Sequence, residues 1–111
     1  MEVRLAGTII PQGPRSEVGQ GQTYNQRARK YLTELIKNKV VDVKAYGVDE
    51  RDRILAEVYF GERNINLEMI RAGMATVDPI APPAGFDLKP YWRFEDEARK
   101  GRRGIWAVVD K

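Results

Sequence analysis

The segment Arg4–Gln12 reads Arg-Leu-Ala-Gly-Thr-Ile-Ile-Pro-Gln. It sets an arginine on an extended run that stops at Pro11, just ahead of a stretch rich in glycine and proline. Arginine suits phosphate because its planar guanidinium offers two parallel N–H donors to two oxygens. Hydrolysing a phosphate ester needs more: charge neutralisation, an activated water and stabilisation of the charge that develops on oxygen. No carboxylate stands within Arg4–Gln12 to act as a base or to hold a metal. A second arginine, Arg53, opens a later strand, with Asp49 and Asp52 in the preceding turn as candidate ion-pair partners. The chain has no histidine and no cysteine, which excludes imidazole bases, imidazole ligands and thiolates. Acid–base chemistry is left to carboxylates, arginines, lysines or tyrosines. Glu17 is a loop acid that can swing in as a replacement base, although a loop glutamate is ordinarily just solvated.

These residues need elements to position them, and the pattern supplies a coarse set. Glu2–Ile10 reads as one strand, with Val3, Leu5 and Gly7 on one face and Pro11 as its end. Gln12–Gln22 carries Gly13, Pro14, Gly19 and Gly21 and is expected to be a loop of about ten residues, long enough to suggest a functional or mobile role. Thr23 and Gln26 form a capping-box pattern ahead of a helix built on Ala28, Tyr31, Leu32, Leu35 and Ile36. Val40–Tyr46 and Arg53–Phe60 read as strands joined by a charged turn. Asn66 is expected to cap a helix through Ala72, with Gly73 stopping it. Asp78–Gly85 holds three prolines and reads as a loop. Pro90 opens a third helix that ends near Gly101–Gly104, and Ile105 and Trp106 pack back as a tail.

The order and the local wording resemble the staphylococcal nuclease (thermonuclease-like) family over nearly the whole chain. Arg4–Pro11 is similar to that family's Arg-Leu-x-Gly-x-Asp-x-Pro-Glu strand and loop. Tyr24 and Ala28 fall at its loop-end tyrosine and first-helix alanine. Asp52–Ala56 resembles its Gly-Arg-x-Leu-Ala strand start, and Asn66–Ala75 its Asn-x-x-Leu-x-x-x-Gly-x-Ala helix. Glu97–Trp106 is similar to its closing Ala-x-x-x-x-x-Gly-Ile/Leu-Trp. The resemblance implies an α+β chain with an OB-fold: a five-stranded barrel with three helices. It also implies cleavage of DNA and RNA phosphodiesters with a calcium ion. The family's first two strands fall ahead of Met1, so the barrel is expected to lack them. That would leave the sheet edge beside Arg4–Ile10 open to self-association.

Carried over position by position, the resemblance keeps the two catalytic arginines, as Arg4 and Arg53, and loses the acids. Ile9 and Ile10 occupy metal-ligand positions, and Gln12 stands where the family has the glutamate that activates water. Isoleucine offers no oxygen to calcium, which takes six to eight. Glutamine can orient a water but cannot take its proton, and losing a general base costs about 10²–10⁴ in rate. No cofactor is therefore expected in this chain, although calcium is implied for the family. The positions of the family's stacking tyrosines fall on Arg51, Pro79 and Ala81. A nucleic acid backbone would meet Arg4, Arg53, Arg51 and the loop residue Arg15.

Composition is compatible with this reading and decides little by itself. The 111 residues form one domain, 1–111, with a net charge of +3 and an isoelectric point near 9.3. No apolar run approaches the roughly 18 residues of a membrane span. Arg27, Arg29 and Lys30 on the first helix, and Arg99, Lys100, Arg102 and Arg103 ending the third, read first as solvated cations. Glu95, Asp96 and Glu97 lie one turn ahead of the second cluster and would partly neutralise it. Three functions follow. One is a module that binds nucleic acid backbone or another anion with little hydrolysis. The others are a working metal-dependent phosphodiesterase, and a protein-interaction module like some domains of Tudor-staphylococcal-nuclease proteins.

Overall fold

The computed structural model describes residues 2–10, 17–18, 22–80 and 82–108. In chain order the elements are β1 (Val3–Leu5), β2 (Thr8–Ile9), β3 (Glu17–Val18), β4 (Gln22–Thr23) and α1 (Tyr24–Ile36). Then come β5 (Asp42–Val48), β6 (Ile54–Phe60), β7 (Arg63–Asn64), α2 (Ile65–Arg71), β8 (Thr76–Val77) and α3 (Lys89–Lys100). A 3₁₀ turn over Gly104–Val108 closes the described chain. The α+β class and the three helices agree with the sequence reading.

The central sheet has the order β1-β6-β5, with β7 also pairing β6. β5 and β6 run antiparallel, and a register shift between Ala45 and Gly47 bends the ladder. β1 runs parallel to β6 with Val3 opposite Ile54, Arg4 opposite Leu55 and Leu5 opposite Ala56. The expected single strand Glu2–Ile10 is in fact two. Gly7, at φ +80, turns the chain out of the sheet, and a Cβ there would press on the Phe86 ring. β2 then pairs antiparallel with β8, with Thr8 opposite Val77 and Ile9 opposite Thr76.

Asn66 takes over where β1 leaves β6. It is fully buried, and its Nδ2 donates to the carbonyls of Ala6 at 3.0 Å and Ala56 at 2.9 Å. Its Oδ1 accepts from the Val58 amide at 3.1 Å. A side chain from α2 thus continues the hydrogen bonding that the strand drops. The helix cap expected at Asn66 is instead Asn64, whose side chain accepts from Leu67 N–H at 3.0 Å. Burial assigns Asn66 a different task.

The core is small. Ala6, Ala28, Met69, Ile70, Met74, Ala75, Val77, Phe86 and Tyr91 form it, with Tyr31, Leu32 and Leu35 of α1 packed against it. Gly73 (φ +75) and Gly104 (φ +53) pass so closely that a Cβ on either would strike the other segment's backbone. Ile105 N–H donates to the Gly73 carbonyl at 2.9 Å, which docks the tail on the end of α2. Glu57 is a buried carboxylate that accepts from the hydroxyls of Tyr46 (2.6 Å) and Tyr91 (2.6 Å) and from Asn64 Nδ2 (3.2 Å). Burial, and then the Glu57 carboxylate, push the Tyr46 hydroxyl up to about 12. This knot ties β5, β6, the start of α2 and α3 together.

Asn66→Ala leaves the Val58 amide and the Ala6 carbonyl without their buried side-chain partner. At about 1–3 kcal/mol for each buried group left unpaired, the expected loss is about 3 kcal/mol of folding stability. Urea denaturation should show it as a lower midpoint with an unchanged slope.

Candidate phosphate-binding cleft

The register of β1 on β6 brings the two arginines together. Residues opposite one another in a sheet point to the same face, and so do residues two apart along a strand. Arg4 lies opposite Leu55, and Arg53 is two residues before Leu55. Both guanidiniums therefore emerge on one face, at the mouth of a cleft of about 740 Å³. Ile9 and Ile10 contribute apolar lining, Asn25 and Arg29 enter from α1, and Ile80, Pro82 and Pro83 belong to the opposite segment.

Each arginine is held by an aspartate. Arg53 Nε donates to Asp49 Oδ2 at 2.8 Å. Asp49 Oδ1 accepts from the amides of Arg51 at 2.8 Å and Arg53 at 2.9 Å, so one carboxylate builds the turn and aims the guanidinium. Burial pushes the Asp49 carboxyl up, but these N–H donors and the Arg53 charge outweigh it and hold the pKa below the ordinary 3.8. Arg4 Nη2 donates to Asp78 Oδ2 at 3.1 Å and to the Thr8 carbonyl at 3.2 Å. Asp78 Oδ1 accepts from Ile80 N–H at 2.9 Å, and Asp78 N–H donates to the Gly7 carbonyl at 2.9 Å. Asp78 is therefore a fixed part of the cleft floor.

Of the residues singled out from sequence, Arg4, Arg53, Arg51, Ile9 and Ile10 all line this one cleft. Gln12 and Arg15 lie outside the described residues, as does Ala81, and nothing is described of the Glu17 side chain. The pairing of Arg53 with Asp49 matches an expected alternative. Asp78 was missed, because it lies 74 positions from Arg4 in the chain and is brought near it by the β2–β8 pairing. Arg29, read as a solvated helix cation, also faces the cleft. No aromatic side chain is among the described residues lining it.

Part of the basic cluster that ends α3 has a local partner. Asp96 pairs with Lys100 at 2.9 Å and Arg99 at 3.6 Å. Glu95 was expected to neutralise that cluster too. Instead it is buried and accepts from Val77 N–H at 2.8 Å, anchoring β8 on α3.

The implied calcium does not fit the donors described here. Calcium takes six to eight oxygen ligands, and no group of three or more Asp, Glu, His or Cys side chains suited to a metal occurs among the described residues. Asp49 and Asp78, the carboxylates with assigned partners in the cleft, are each committed to an arginine.

An arginine pair thus lies on one face of the central sheet of this α+β chain, beside a strand-to-loop exit. The chain belongs to the staphylococcal nuclease family: the family model described as "Staphylococcal nuclease homologue" matches residues 2–108. Among curated relatives, the "Probable endonuclease LCL3" of Leptosphaeria maculans is 34% identical over 114 residues, covering 96% of this chain and 38% of that protein. Its namesake in Komagataella phaffii is 33% identical over 115 residues, covering 97% of this chain and 50% of the relative. That of Botryotinia fuckeliana is 34% identical over 118 residues, covering 100% of this chain and 44% of the relative. The chain thus spans half or less of the length of these three relatives. Among the described residues no helix is long and apolar enough to cross a membrane.

Because the Asp49 pKa is lower in the fold than in the unfolded chain, its stabilising contribution is present above pH 3.8 and is lost as pH falls through the folded value below that. Stability measured by denaturation should fall more steeply below about pH 3.8 in the wild type than in Asp49→Asn. Equal slopes would show that the turn does not depend on this carboxylate.

Proposed function

We propose that this domain binds a nucleic acid backbone, or an anion of the same chemistry, through Arg53 and Arg4, with little or no hydrolysis. The observation that carries this reading is the convergence of both guanidiniums on one cleft that Ile9 and Ile10 also line. An aspartate orients each arginine. Four arginines against three carboxylates leave the lining net positive. Gln12, at the position of the family's water-activating glutamate, supports weak turnover, as does the absence of a matching carboxylate cluster among the described residues. The lack of lining aromatics favours phosphate contacts over base stacking.

Binding to a fluorescent single-stranded oligonucleotide should weaken as salt rises, because phosphate contacts release counterions. Arg53→Ala should weaken it roughly tenfold or more, given about 1.5–3 kcal/mol for a charge-assisted hydrogen bond. A salt-independent signal, or none at low salt, would remove nucleic acid as the ligand and favour the protein-interaction reading.

The printed names of the relatives favour a second reading, a metal-dependent endonuclease. A fluorogenic DNA cleavage assay separates the two. Turnover that requires calcium, stops with EDTA and is abolished by Arg53→Ala would establish the nuclease.

Self-association belongs to the same proposal. The outer edge of β1, the edge expected to be open, has no strand partner among the described residues, which leaves Val3, 44% exposed, and the strand's outward backbone groups uncovered. A second copy pairing along that edge would cover them. Sedimentation velocity should then show a dimer that grows with concentration, whereas a monomer at every concentration would refute it.

A further inference from the structure

The two arginines are held in different ways. A guanidinium presents two forks to an oxyanion: the side fork of Nε with Nη2, and the end fork of Nη1 with Nη2. Nη2 belongs to both. Asp49 takes only the Nε of Arg53, which leaves the end fork of that residue for a phosphate. On Arg4, Nη2 donates to both the Thr8 carbonyl and Asp78 Oδ2. With both Nη2 hydrogens engaged, neither fork of Arg4 can grip a phosphate bidentately until Asp78 lets go.

We propose that Asp78 is an internal competitor for Arg4 and sets the anion affinity of the cleft by occupying the nitrogen common to both forks of that guanidinium. This rests on the reading of the cleft as a phosphodiester-binding site. Asp78 is well placed for the role. Its side chain is 12% exposed. Its Oδ1 is fixed by Ile80 N–H, and its backbone is pinned to Gly7, so the carboxylate stays when Arg4 moves. An incoming phosphate must replace that carboxylate on Arg4 and leave Asp78 charged and largely buried, an unfavourable exchange. The domain therefore holds its ligand mainly through Arg53 and keeps Arg4 in reserve. The acid is not a proton acceptor for hydrolysis here; it is a mimic of the ligand.

Asp78→Asn tests this directly, since asparagine can still accept from Ile80 N–H while its amide faces Arg4 with donors. Asp78→Ser is the second variant, and both are checked for cooperative unfolding. Binding of a fluorescein-labelled oligothymidylate single strand is measured across a salt series. The expected result is an affinity at least about threefold above wild type, with a salt slope steeper by about 0.7, the value for one more phosphate neutralised on a single strand. That gain should vanish when Asp78→Asn is compared in an Arg4→Ala background. Unchanged or weaker binding by the folded variants overturns the proposal. A gain that persists without Arg4 also overturns it, because general charge removal then explains the effect. If wild type binds and Arg53→Ala does not, while the Asp78 variants match wild type, only the competitor role fails. If neither wild type nor the variants bind at low salt, the phosphodiester reading fails with it.

Discussion

The parallel pairing of Val3–Leu5 with Ile54–Ala56 is the constraint on which this domain depends. A slip of one residue would turn Arg4 to the opposite face of the sheet. The two guanidiniums would then no longer share a cleft, and the Ala6 carbonyl would leave the reach of Asn66. The register is enforced from both ends. Ile54 N–H donates to the Glu2 carbonyl at 2.9 Å, and Ala6 N–H to the Ala56 carbonyl at 2.8 Å. Beyond Ala6 the Asn66 amide fastens the point where the chain leaves the sheet. A short strand with few ladder bonds is thereby given one alignment.

From that alignment follows the electrostatic character of the cleft. Arginines brought together on one face repel each other, and partly buried ones need partners. Asp49 and Asp78 meet that need in two ways. Asp49 is local, four residues from Arg53, and its carboxylate also closes the turn. Asp78 comes from the far side of the chain and is held by the β2–β8 pair. The outcome is a cleft in which arginines and carboxylates share the lining with the apolar side chains of Ile9, Ile10 and Leu55.

Much of this was legible in the amino-acid sequence. Helical spacing located α1 and α3, and alternation located β6 to within a residue. The motif order led to the family that the comparison then showed. The errors share a cause. Glu2–Ile10 alternates like a single strand, yet Gly7 breaks it because Phe86 packs against the turn. Asn66 reads as a helix cap, yet it is buried and bridges strands, and Asn64 caps the helix instead. Glu95 sits in an acidic run that reads as solvated, yet it reaches the amide of Val77 on another element.

The sequence by itself determined the inventory. It holds arginines at positions 4 and 53, isoleucines at 9 and 10 and a glutamine at 12, and it has no histidine or cysteine. These are matters of residue type, and no folding alters them. Which nitrogen of each arginine stays open was decided only by the tertiary structure. That depends on a carboxylate 74 residues from Arg4 arriving at hydrogen-bonding distance, and on a register of pairing that no local pattern encodes. Hydrogen bonds act over about 3 Å, so the side chain that restrains Arg4 could be found only once the strands were in place.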